Sequence, residues 1–123
     1  MWRPRKIGDV IAERVCEFRG RSGSSQKVTV SFGRPVHSPK EKDDPWWCPL
    51  AIRGAGFDEF LPVAGEDSLQ ALTLALAYAE VAVKREAKRK RGTLLLYGEP
   101  IDPIIFAHAS IEGGDAKRKK RRD

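Results

Sequence analysis

Residues 67–92, DSLQALTLALAYAEVAVKREAKRKRG, decide the fold class. Asp67 is placed to cap a helix, with Gln70 three residues on at the capping-box spacing. Leu69, Leu72, Leu76, Ala79 and Val83 recur at steps of three and four, an apolar stripe that predicts one long helix laid against a sheet. Lys and Arg crowd its last turns, where the helix dipole favours cations. Gly92 is a natural residue for the left-handed position that ends a helix. The apolar part, broken by Gln70, Thr73 and Glu80, spans about 15 residues against the ~20 that cross a bilayer, so no membrane partner is expected.

Working outward, residues 10–19 alternate roughly, with Ala12, Cys16 and Phe18 on one face and Ile11, Glu13, Val15 and Glu17 on the other. Residues 26–32 alternate cleanly, Val28, Val30 and Phe32 against Lys27, Thr29 and Ser31. With the Gly/Ser loop at 20–25 they predict a hairpin. Residues 33–45 read as a long polar loop holding Pro35, Pro39 and Pro45, a kind of segment that tends to be functional or mobile. Residues 46–53 read as a third strand in which Pro49 demands an edge or a bulge. Residues 57–63 give a fourth strand after the turn at 54–56, and residues 93–97 a last one after the helix. The order β-β-β-β-α-β predicts an α+β fold, an antiparallel sheet of about five strands with the helix on one face. Its expected core is Val28, Val30, Phe32, Leu50, Ile52, Leu69, Leu72, Leu76, Val83 and Leu95.

The 123 residues make one domain by length, read as 1–112 with a basic tail at 113–123. The net charge of +6 is regional: residues 1–83 hold 11 Lys+Arg and 11 Asp+Glu, residues 84–123 hold 12 and 6. The tail carries a run of like charges with nothing to bury, which predicts disorder. The start of the chain, Trp2-Arg3-Pro4-Arg5-Lys6, lacks the apolar run of a secretory signal. The chain is therefore expected to be cytoplasmic with Cys16 and Cys48 reduced. The Arg- and Ala-rich composition leans bacterial.

Ile11-Ala12-Glu13-Arg14, Val28-Thr29-Val30 with Gly33-Arg34-Pro35, Trp47-Cys48-Pro49 with Ile52-Arg53-Gly54, Asp67-Ser68-Leu69-Gln70-Ala71-Leu72 and Gly98-Glu99-Pro100 follow in order over residues 10–102. In this the chain resembles a family of small uncharacterised bacterial proteins catalogued as a domain of unknown function. The family has no established activity, so the resemblance implies a compact α+β domain and little else. The basic tail and the Lys/Arg run of the helix look like additions to it.

Few residues point to chemistry. Cys16, His37, Cys48 and His108 lack the paired spacing of a zinc site, so no metal and no cofactor are expected. Cys48 has no local signature of a nucleophile. Asp43-Asp44 and Asp58-Glu59 point to opposite faces of extended chain and do not converge. The Gly/Ser loop lacks the lysine and the following helix of a phosphate cradle. No enzyme and no small-molecule substrate are predicted.

Two features point to binding. Leu74, Tyr78 and Val81 form a second apolar row roughly 160° around the helix from the first. Either the segment Ile104-Ile105-Phe106 folds back over them, or a partner or second copy of the chain does. Trp46-Trp47 should place one ring in the core and the other more exposed, either packed against the loop or the N-terminus or, with Trp46 as the candidate, as an anchor for a partner. The basic residues Lys84, Arg85, Lys88, Arg89, Lys90 and Arg91, with Lys117, Arg118, Lys119, Lys120, Arg121 and Arg122 of the tail, are candidate contacts to a polyanion. The sequence thus reads as a non-enzymatic protein–protein interaction module, self-associating or immunity-like, with a basic end that attracts an acidic partner. The alternative is a nucleic-acid-binding accessory protein indifferent to sequence. No aromatic residue interleaves with the basic runs, so such contact would be to phosphates.

Overall fold

The computed structural model describes residues 1–107. His108 and the tail expected at 113–123, with its six cations, lie outside the described residues. Strands β1 (Val10–Arg19), β2 (Ser25–Gly33), β3 (Val36–His37), β4 (Trp46–Gly54) and β5 (Phe57–Gly65) precede helix α1 (Ser68–Arg89), and β6 (Thr93–Leu96) and β7 (Glu99–Pro100) follow it. All pairings are antiparallel. β5 pairs along the whole of β4, and β2 and β3 share the opposite edge of β4, so the sheet runs β5, β4, β2 with β3, β1, β6, β7.

The α+β expectation holds, with two differences. Each of β3 and β7 is only two residues long, and both fall in segments read as loop or strand end. Such pairs carry no periodicity of their own; a neighbouring strand imposes them. Pro49 lies within β4, not on an outer strand. It falls between the stretch paired with β2, which ends at Leu50, and the stretch paired with β3, which begins at Trp47. The ladder is interrupted there, so its missing N–H is tolerated.

The alternation in β1 and β2 places Cys16, Phe18, Val28, Val30 and Phe32 in the core with Cys48, Leu50 and Ile52 of β4. The sheet coils enough to bring Phe18 and Phe57 edge to face, ring centroids 5.3 Å apart. α1 lies mainly over β4 and β5. Its buried residues are Ala71, Ala75, Ala79, Ala82, Val83 and Ala87.

That alanine face corrects the expected core. Leu69 is 67% exposed, and Leu72 and Leu76 are only partly buried at the margin. The stripe of largest residues gave the wrong axis: the face turned to the sheet is filled mostly by alanine, and the start of α1 comes close to Gly65 of β5. A Cβ on Gly65 would strike the backbone of Ala71. Leu95 is buried, yet it lies outside the cluster that holds Leu94 and Leu96 and so faces the other side of the sheet.

The helix termini follow their signals with one exchange. Asp67 Oδ1 accepts from the Gln70 N–H at 2.8 Å, and Gln70 Oε1 accepts from the Glu66 N–H at 2.6 Å. At the other end the residue in the left-handed region is Arg91, φ 56°, not Gly92. Its N–H reaches Lys88 O and the Gly92 N–H reaches Ala87 O, the paired bonds of a Schellman motif. Gly92 is needed one place later, where a Cβ would collide with the ring of Phe18.

Candidate functional site

At ~100° per residue, the two flanks of α1 part at the alanine face. One flank carries Glu80 and Lys84. Glu80 accepts the N–H groups of Ile104 at 2.9 Å, Ile105 at 2.7 Å and Phe106 at 3.3 Å. Lys84 Nζ lies 2.6 Å from Asp102 and 3.9 Å from Glu80. The hydrogen bond to Asp102 raises the Lys84 pKa. Arg14 of β1 donates to Ile105 O at 3.3 Å, so the returning segment is held from the sheet as well. Ile104 and Ile105 are buried in consequence.

The other flank carries Leu74, Tyr78 and Val81, which are 45%, 41% and 59% exposed. The segment 104–106 does fold back on the helix, but on the Glu80 side, and leaves this row bare. Continuing the row toward the C-terminus, Arg85 and Lys88 follow at the same spacing and are exposed.

The basic run does not act as one patch. Arg89 is paired with Glu86, whose carboxyl it holds below the usual range. Lys90 Nζ sits 5.7 Å over the ring of Phe57. With Lys84 committed to Asp102, the cations of α1 without an ion partner among the described residues are Arg85 and Lys88, and Arg91 follows just past its end.

Trp46 is half-buried against the core, its ring 5.3 Å from that of His37. It borders a shallow groove with Arg34, Pro35, Leu69 and Leu72, a different side of α1 from Tyr78. Trp47, its neighbour, is buried. The expected anchor and the expected apolar row are therefore separate.

The loop at 33–45 is organised by its own polar groups. His37 Nδ1 meets Ser38 O at 2.8 Å and Nε2 meets Asp44 O at 2.7 Å. The two contacts hold the ring between backbone carbonyls at either end of the loop. Buried Ser38 Oγ accepts from the Lys40 and Glu41 N–H groups. Sequence reasoning passed over Glu80 and Ser38 and weighed His37 only as a metal ligand, because each acts on backbone groups that no motif announces.

Cys16 and Cys48 are free and buried, and burial pushes each thiol up to about 11. At neutral pH neither is a thiolate, the form that attacks. Among the described residues, no three His, Cys, Asp or Glu side chains gather as metal ligands, and no helix is long and apolar enough to cross a membrane. A surface groove lies between residues 1–5 and Phe60, Leu61 and Pro62 of β5, and no carboxylate, histidine or thiol lines it. The family model for the domain of unknown function DUF6968 matches residues 12–106, and the chain belongs to that family. No curated protein and no solved structure matches it.

Proposed function

We propose that this DUF6968 domain is a non-enzymatic protein-binding module that docks its partner on the outward face of α1. The observation that carries this is the exposed row Leu74, Tyr78 and Val81, running into Arg85 and Lys88. A helix on a sheet needs one apolar face, and this one has two. Apolar side chains gathered in a row, with a tyrosine at the centre and cations at one end, suit a partner surface that is apolar in the middle and acidic at its rim. The reading takes the protein as cytoplasmic, in keeping with two unpaired, buried cysteines.

A photo-crosslinking residue at position 78, compared with one at the exposed Val15 of the sheet, tests the reading in cells. Protein adducts are expected from position 78 and not from 15. Equal yields, or none from 78, would refute it. The nucleic-acid alternative draws on Arg85, Lys88 and Arg91. It requires duplex affinity that falls steeply with salt and a slope that flattens in the Arg85→Gln/Lys88→Gln variant.

A further inference from the structure

We infer that the partner of this helix face is a second copy of the chain, paired antiparallel about a two-fold axis between Ala77 and Tyr78. The inference rests on the docking reading above and adds the occupant and its register. The exposed row extends beyond its apolar centre in both directions. Asp67, Gln70, Leu74, Tyr78, Val81, Arg85 and Lys88 fall at steps of three and four within an arc of about 80° around the helix, clear of the alanine face, and are all exposed, with Lys88 at the border toward Lys84 and Asp102. The side chains change along it from acidic through apolar to basic.

That order is self-complementary. Reversed about the midpoint between Ala77 and Tyr78, six of the seven positions return, and Tyr78 falls opposite Ala77. Asp67 then meets Lys88 of the second copy, Gln70 meets Arg85, Leu74 meets Val81, and the two Tyr78 rings flank the axis. A two-fold interface presents one patch twice, so every contact is made twice. A parallel pairing would set Arg85 and Lys88 against their own copies. In the antiparallel arrangement each basic end lies along an acidic one, where Glu66 adds to Asp67, and the helix dipoles oppose. Ala77 is small and exposed beside the axis, which lets the helices approach. The row covers ~32 Å of helix, a modest contact, so a micromolar dimer is expected.

Sedimentation of the full chain from about 5 μM to 1 mM tests this, with thermal melts to show that each variant folds. A concentration-dependent dimer is expected. Arg85→Glu should weaken it about tenfold, because each dimer loses two contacts between Arg85 and Gln70. Gln70→Lys added to Arg85→Glu should restore most of that loss, and Gln70→Glu alone should tighten the dimer. Tyr78→Arg should leave a folded monomer. A monomer at 1 mM overturns the inference. If position 78 still crosslinks to another protein, docking on this face survives and only self-pairing falls. A dimer indifferent to Tyr78→Arg, or one that Gln70→Lys fails to rescue, also overturns it.

Discussion

Glu80 and Tyr78 stand two residues apart on α1 and meet opposite fates. Around Glu80 the chain returns, and a carboxylate that receives three backbone N–H groups fastens residues 104–106 beside the helix. Around Tyr78, among the described residues, no segment returns. Both flanks carry apolar surface, so hydrophobicity alone does not decide which one the chain covers. The difference lies in polar satisfaction. A turn laid against a helix buries backbone donors, and only the flank that offers a buried acceptor can take it. The bare flank offers apolar groups and cations, which suit the outside of another protein better than the end of this one.

The largest effect should come from neighbouring substitutions on the two sides. Ala79 is fully buried between helix and sheet, so Ala79→Leu should destabilise by about 3 kcal/mol in chemical denaturation. Tyr78→Arg, one residue on, should change monomer stability by less than about 0.5 kcal/mol. Similar losses at both positions would mean that the bare flank is not bare.

Next, Glu80→Ala should cost about 2 kcal/mol, since it strands donors held by a charged acceptor. Hydrogen exchange should accelerate at residues 104–106 before it does in the sheet. Exchange unchanged at those amides would show that Arg14 and the buried isoleucines suffice to hold the segment.

The covered face also predicts a response to alkali. Both thiols have folded values near 11 against 9.0 for an unburied one. A raised value means that the folded chain keeps protons which the unfolded chain releases. Stability is therefore full below pH 9 and lost as pH rises toward 11, by on the order of 1–2 kcal/mol per thiol. Cys16→Ala should remove about half of that slope in urea titrations at pH 8 and 10.5.

The smallest effect lies at the helix end. Arg91 holds a left-handed conformation that suits glycine, so Arg91→Gly should raise stability by about 0.5–1 kcal/mol, read as a higher melting temperature. A lower one would reveal a contact of the Arg91 side chain that outweighs its backbone cost.

The fold was legible where periodicity and caps speak. Val28, Val30 and Phe32 alternate because one face of β2 is buried, and Asp67 with Gln70 announces where α1 starts. The row Leu74, Tyr78 and Val81 was legible too, as surplus apolar surface. The axis of the buried face was not. Large side chains were weighted above small ones, whereas the face turned to the sheet is filled mostly by alanine. The returning segment was visible as apolar, but its side of the helix was not, because one glutamate in the middle of a helix decides it. Gly92 was identified as necessary for the wrong reason: Phe18, distant in sequence, excludes its side chain, and Arg91 makes the turn.

Alanine has a mechanical consequence for α1. Short methyl groups give the sheet little to grip, so the contact resembles a sliding bearing more than a set of meshed teeth. What stops the rod from gliding along its axis must then be its fittings: the carboxylate at Glu80, through the segment that Arg14 ties to the sheet, and the ammonium of Lys90 above Phe57. The molecule is riveted at a few polar points, and those rivets, not the greasy interior, set where the outer row of side chains stands.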